Sequence, residues 1–330
     1  MSENQVVKRG VKPALNKQFF AGAAILAIFT AASALNADAA TFDASNIVIN
    51  DVTADIRVTT NADDAVNVNI RQGSEFASIK VTQDGDTVIL QGEGFDEPEG
   101  GCCDSRITRV FDARTNRDPN KDSSNNLTNY PTIEIAMPRS GNATFDDVRM
   151  KLNMESLSGT LTMDACYVDG EIGDTDEAYI GIVSGSRLSM GDVKATFEAD
   201  VSGRADLRAN DVSAVDVDIS GSGAVQLGRI DGMLDASIAG SGRVEAARLT
   251  GPLTARIAGS GGVAVASGNA DPLKAIIEGS GVVIFDGTAS STDLRLSRSA
   301  EVRLRNSRGR IGRVGSGSVY VADKRIESEE

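Results

Sequence analysis

Five copies of Gly-Ser-Gly punctuate the second half of this chain, at 221–223, 240–242, 259–261, 279–281 and 315–317. Their starts lie 19, 19, 20 and 36 residues apart. Arg298-Ser299-Ala300 fills the long interval as a degenerate copy, and Ser202-Gly203 and Ser184-Gly185 carry the series upstream. The flanks of each copy alternate. Before it come Leu234-x-Ala236-x-Ile238, Leu253-x-Ala255-x-Ile257 and Leu273-x-Ala275-x-Ile277. After it come Val225-x-Leu227, Val244-x-Ala246, Val263-x-Val265 and Val283-x-Phe285. Alternation with period two is a strand with one face buried. Each repeat therefore reads as strand, corner, strand and turn, with Asp231-Gly232, Gly251-Pro252 and Asp271-Pro272 marking the turns.

A unit this small cannot bury its apolar side alone, so neighbours must stack. The expected fold is all-β: a right-handed parallel β-helix of about eight coils of 17–20 residues, preceded by an N-terminal β-strand region. At about 4.8 Å per coil the stack would measure roughly 40 Å. A β-sandwich, the alternative, would set strands every 8–12 residues without a shared corner motif. Gly221, Gly223, Gly240, Gly242, Gly259, Gly261, Gly279, Gly281, Gly315 and Gly317 are the structural corners, expected to need positive φ. The middle residues Ser222, Ser241, Ser260, Ser280, Ser299 and Ser316 should fall in one file. A small hydroxyl residue suits a tight corner and bonds neighbouring backbone; a ligand track is the functional alternative.

Upstream, residues 40–91 alternate without the corner mark, as in Ile47-x-Ile49 and Val66-x-Val68-x-Ile70, with Asp84-Gly85-Asp86 as a hairpin turn. This region is expected to cap the first coils and shield the open sheet edge. Residues 92–130 break the pattern and read as a loop insert. The β-helix then occupies 131–322, and 323–330 form a charged tail. Within the insert, Asp118, Asn120, Asp122 and Ser124 hold positions 1, 3, 5 and 7 of a calcium loop, but Ser123 and Asn129 stand where that loop needs Gly and Glu. The stretch reads as solvated loop, with calcium as the alternative and no other cofactor expected. Cys102, Cys103 and Cys166 are disulfide candidates. One structural bridge is expected in place of a zinc site, because no His could complete a three-thiolate set.

Acidic residues outnumber basic ones, 47 to 33, and the 330 residues include no His and no Trp. That removes any His–Asp relay or His metal site and any Trp platform for a sugar. A net charge of −14 also argues against nucleic acid as a partner. Residues 1–39 read as a secretory signal: Lys8, Arg9, Lys12 and Lys17 lead an apolar run from Phe19 to Leu35, and Ala37-Asp38-Ala39 supplies the cleavage pattern. Cleavage would start the mature chain at Ala40 and leave no integral membrane segment; an uncleaved anchor is the alternative. The expected location is exported, in the periplasm, at the cell surface or secreted.

Seven arginines, 295, 298, 303, 305, 308, 310 and 313, crowd the last coils of an otherwise acidic chain. They read as a polar terminal cap that prevents end-to-end stacking; a patch for an anionic polymer is the alternative.

The recurring Ile-x-Gly-Ser-Gly-x-Val, as in Ile238-Ala239-Gly240-Ser241-Gly242-Arg243-Val244, together with the opening from Ile47 to Val58 and Asp84-Gly85-Asp86, resembles the head GIN domain family of exported bacterial proteins. Members carry the label of auto-transporter adhesins. The resemblance covers most of residues 41–322 and implies β-helical coils and an envelope location. It offers no catalytic residues to transfer, and the insert at 92–130 departs from its pattern.

Three functions compete at this point. The first is a non-enzymatic, adhesin-like binding or scaffolding module for an envelope or surface polysaccharide or protein. The second is a polysaccharide-active enzyme using Asp216 and Asp218, placed i and i+2 on one strand. The third is a periplasmic partner of a regulatory membrane protein, which a retained anchor would favour. Without a convergent catalytic set, the first is the expectation.

Overall fold

The computed structural model describes residues 38–73, 79–92, 130–183, 185–297 and 299–327. Among these the regular elements are all strands. From residue 143 onward the chain winds as a parallel β-solenoid, and strict in-register pairing makes its columns explicit. On the first face the outward column runs Thr144, Thr162, Tyr179, Glu198, Asp216, Asp235, Thr254, Lys274, Asp293 and Gly312. The second face runs from Lys151 through Asp169, Arg187 and Asp206 to Ser318. A third, narrower side links Thr175, Val193, Val212, Ile230, Leu249 and Gly268. Ten rungs on the first face amount to about nine turns, one more than the corner motif alone predicts.

The interior follows from the alternation. Next to the outward column, Phe145, Met163, Ile180, Ala199, Val217, Ala236, Ala255, Ala275 and Leu294 stack in one buried inward file. Ile182, Val201, Ile219, Ile238, Ile257, Ile277 and Leu296 form the file beside it, also buried. Large residues at one end and alanines in the middle of the first file are matched by bulkier neighbours in the second, which is how a core of fixed cross-section fills without voids.

The corner glycines divide their labour, and this corrects the expectation that all ten need positive φ. The first of each pair does, as at Gly240 (φ 127). The second does not. Gly242 is buried and faces inward, where an added Cβ would lie 2.5 Å from Ile219 Cγ2 of the preceding coil. Its requirement is room, and the same holds at Gly223, Gly261, Gly281 and Gly317. Ser222, Ser241, Ser260 and Ser280 do form an exposed file. Their amide N–H groups, more than their hydroxyls, tie the coils together: each donates to a glycine carbonyl one coil back at 2.8–2.9 Å.

The coil that the corner motif does not reveal is turned by aspartate. β8 (Ala143–Met154) bends at Asp147, φ 52, and the equivalent bend before it uses Asp51, φ 51. Aspartate is one of the few residues besides glycine that visits the left-handed region. β9 (Thr160–Ile172) passes the same corner as one continuous strand.

The N-terminal strands extend two faces of the solenoid. β1 (Asp38–Phe42), β2 (Asn46–Asn50), β3 (Thr53–Asn61), β4 (Val66–Arg71), β5 (Lys80–Asp84), β6 (Thr87–Gln91) and β7 (Thr132–Pro138) precede β8. β2 lies parallel between β8 and β6, and β5 closes that sheet as a hairpin through Gly85. β3 lies parallel between β8 and β7, after which β4 and β1 add antiparallel. The region thus prolongs the faces; β5 and β4 run against the solenoid strands, and β1, beyond β4, returns to their direction. The C-terminal end also carries a reversed strand: Ser318–Val321 pairs antiparallel with Lys324–Arg325 through Ala322 and Asp323, both at positive φ.

Candidate functional site

With the core accounted for, the chemistry lies in the outward columns. On the first face the coils from 177 to 240 present Glu177, Glu198, Asp200, Asp216, Asp218 and Asp235. In the columns Glu198–Asp216–Asp235 and Asp200–Asp218, one strand spacing of about 4.8 Å separates each acid from the next. Crowding shows in the titration of two members. Burial chiefly, then Glu177 and Glu198, raise the Tyr179 phenol above its usual value. Burial also raises the Asp235 carboxyl, against the bond it accepts from Arg256, and Asp216 and Asp218 push the same way as burial. From 254 on, the face changes sign: Arg256, Lys274, Arg295 and Arg310 follow, with Glu278 and Asp293 among them. Three large apolar side chains also stand exposed along the first face, Met233, Ile276 and Val314.

The second face alternates in sign. Asp55, Lys151, Asp169, Arg187 and Asp206 occupy successive rungs of one outward column. Opposite charges directly across a ladder each favour the correct pairing, and like charges would oppose it. At the corner leading to the third side, a staircase of side chains spans coils. Ser156 Oγ accepts from the Asp174 amide (2.9 Å), Asp174 from Asp192 (2.9 Å), Asp192 from Asp211 (3.2 Å) and Asp211 from Arg229 (2.8 Å). Arg229 then bridges Asp211 and Asp231 at 3.0 and 3.1 Å.

An open groove of about 330 Å³ lies on the outward side of β3, β7, β4 and β1, lined by Arg57, Thr59, Asn67, Asn69, Glu134 and Ala136 among others. Asn69 Nδ2 donates to Glu134 Oε2 at 3.1 Å, and Thr41 Oγ1 to Asn67 Oδ1 at 2.6 Å. It is an open surface trough of mixed lining with a single carboxylate among its lining residues.

The sequence candidates fall as follows. Asp216 and Asp218 stand side by side on the strand Val212–Gly221, pointing out from an open face, with Asp218 exposed. A glycosidase pair must flank a held sugar from two sides, and one strand of a sheet face presents both acids from the same side. The arginines of the last coils are dispersed. Arg295 faces out on the first face, while Arg303 binds Glu301 and lies 5.3 Å from the Tyr320 ring centre on the second. Arg305 clamps Asp286, and Arg313 turns inward. Arg298 lies outside the described residues. So do Cys102, Cys103 and the calcium candidates Asp118, Asn120, Asp122 and Ser124. Cys166 sits in β9 with Sγ 3.4 Å from the Val148 carbonyl oxygen. Among the described residues no group of three or more Cys, Asp or Glu side chains is placed to hold a metal ion.

Sequence reasoning singled out Asp216 and Asp218 but missed the column to which they belong. Glu198 and Asp235 fill the x positions of the same strand pattern one coil away on either side, so stacking the repeats by their corners and summing the charge at each x position would have exposed it.

No family model matches this chain, and no curated protein matches it. Among solved structures, the crystal structure of a putative adhesin from Parabacteroides distasonis is similar at a TM-score of 0.33 and 12% identity, over 87% of this chain and 97% of that one. The likeness to the head GIN family rests on the corner motif, the opening from Ile47 to Val58 and Asp84-Gly85-Asp86, with no family model behind it.

Proposed function

We propose that this chain is an exported, non-enzymatic module of the bacterial cell envelope or surface. In this reading it is adhesin-like and binds or scaffolds a polysaccharide or protein through its sheet faces. One observation supports it above the others: charged side chains stand in ordered columns at one strand spacing along the first and second faces. Solenoids present extended surfaces of this kind to partners. Chemistry at a point would instead need groups converging on one substrate atom.

Incubating the protein with an array of bacterial and host glycans, first with calcium and then with chelator, tests the reading. Saturable binding to one glycan class is the expected result, and loss of it on chelation would assign a metal role to the Asp118 loop. A fall in polymer viscosity on adding the protein, abolished by D216N or D218N, would overturn the non-enzymatic half of the proposal.

A further inference from the structure

The trough on β3, β7, β4 and β1 is made of two outward rows that cross the four strands. Register sets Arg57, Glu134, Asn69 and Ala39 side by side, and Thr59, Ala136, Asn67 and Thr41 beside them. Val58, Ile135 and Val68, between the rows, are buried on the inward side. Four strands at about 4.8 Å make the trough roughly 14 Å long. Ala39 and Ala136 carry the shortest side chains of the two rows, so the surface dips at them between longer neighbours. The hydrogen-bonding groups around the dip are unevenly used. Asn69 spends a donor on Glu134, and its Oδ1 is buried and accepts nothing. A buried acceptor without a donor calls for an explanation. Asn67 Oδ1 accepts from Thr41, while its Nδ2 and the Arg57 guanidinium make no hydrogen bond or ion pair among the described residues.

We infer that this trough is a binding site for a neutral saccharide chain. The inference rests on the binding half of the proposed function and gives that binding a place. Charge decides the class of ligand. One guanidinium and one carboxylate offset each other, so the lining favours neither an anion nor a cation. The lining also includes no aromatic ring on which a flat ligand could stack. It offers open donors at Asn67 and Arg57, acceptors at Glu134 and Asn69, and alanine methyls between them. Sugar hydroxyls both donate and accept, and the C–H faces of a sugar ring suit the methyls. At about 330 Å³ the trough stands at the small end of ligand sites, which run from about 300 to 1,000 Å³. Its first row continues onto the solenoid through Asn153, Glu171 and Ser189, so a longer chain would run along the stack. All of the polar lining follows Ala39, so removal of a leader there would take only one alanine from the site.

Calorimetric titration with hexasaccharides tests the inference, with cellohexaose, maltohexaose and chitohexaose as neutral probes and hexagalacturonate as the acidic one. One neutral probe is expected to bind at one site per chain. N67A and E134A should each weaken it about tenfold, the size of one lost hydrogen bond. A136F fills the trough from an outward position and should abolish binding while melting as the parent does. E198K/D218K, on the first face, should bind as the parent does. A neutral probe whose affinity all three trough variants leave unchanged overturns this site; the glycan is then held elsewhere and the broader function stands. Binding of hexagalacturonate alone overturns the class of ligand. Binding of none of the four overturns the inference too, and the broader function then depends on the wider array.

Discussion

Arg313 stands one rung beyond Leu294 in an inward file that is apolar in every earlier coil, and its guanidinium turns back to donate to the carbonyl oxygens of Gly317 and Ile326. A solenoid that ended on another leucine would leave an apolar file open to water and to the end of a neighbouring molecule. The charged residue seals the file by binding the backbone of the segment that folds over it, at 3.2 Å in the case of Ile326. This is the capping role expected of the arginine cluster, concentrated in one of its members.

Replacing Arg313 with leucine should therefore have two effects. The freed carbonyls cost about 1–3 kcal/mol of stability, and the exposed apolar end promotes association. Thermal unfolding and light scattering over a concentration series would read both. Unchanged stability together with unchanged mass would refute the capping role.

The paired corner glycines should respond differently to alanine. Gly240→Ala forces a Cβ into a left-handed residue and to 2.4 Å from the Gly221 carbonyl oxygen, and neither can yield cheaply. Gly242→Ala comes closest to the Ile219 side chain, which can shift, and otherwise stands 3.1 Å from the Gly223 carbonyl oxygen. Ala205 and Ala300 already occupy the equivalent position in their own coils. The first substitution should cost about 1–3 kcal/mol and the second clearly less, measured by chemical denaturation. Equal costs would mean that the second glycine also has a conformational role.

Lys151 separates Asp55 from Asp169 in the alternating column. K151E places three acids on consecutive rungs, at up to about 1 kcal/mol for each new like-charge contact. Part of the loss should return at high salt, because these groups are solvent-facing. A salt-independent loss would point to packing of the lysine stem instead.

Acid should act on this protein through two carboxyls of opposite sign. The hydrogen bond from Arg305 holds Asp286 below its ordinary value of 3.8. Its stabilisation is complete above that value and is lost as pH falls through the lower folded value. D286N should therefore be less stable than the parent at neutral pH, with the gap closing as pH falls through that window. Asp235 is raised instead, mainly by burial. Protonation favours the fold as pH falls through its raised value toward 3.8, and D235N should lack that gain. Melting curves of the three proteins between about pH 7 and pH 2.5 separate the two contributions.

How far the sequence could be read depended on which residues carry the geometry. The coils from 193 onward were legible because Gly-Ser-Gly marks a corner that few other residues can turn, and because valine and isoleucine alternate without interruption around it. The first coil was not, since Asp147 turns the same corner without a repeated signature. Nor could local pattern show that β2 pairs with β8, when some ninety residues and the whole insert separate Ile47 from Ala143. The charged columns were hidden for a different reason. Glu198, Asp216 and Asp235 are ordinary solvated acids along the chain and become a column only through the register of three coils. Arg313 looked like one of seven arginines until its rung proved to be an inward one.

Because the register repeats from Leu234 to Leu253 to Leu273, this architecture can change its length only in whole steps. Duplicating or deleting one complete period between Val244 and Val263 would preserve every column and leave both ends intact. An insertion of one residue within a strand would instead turn valines and isoleucines outward and acids inward. Recombination between such similar coils is consequently tolerated at one set of breakpoints and punished elsewhere. The reach of the molecule would then be inherited as a copy number, counted in increments of about 4.8 Å.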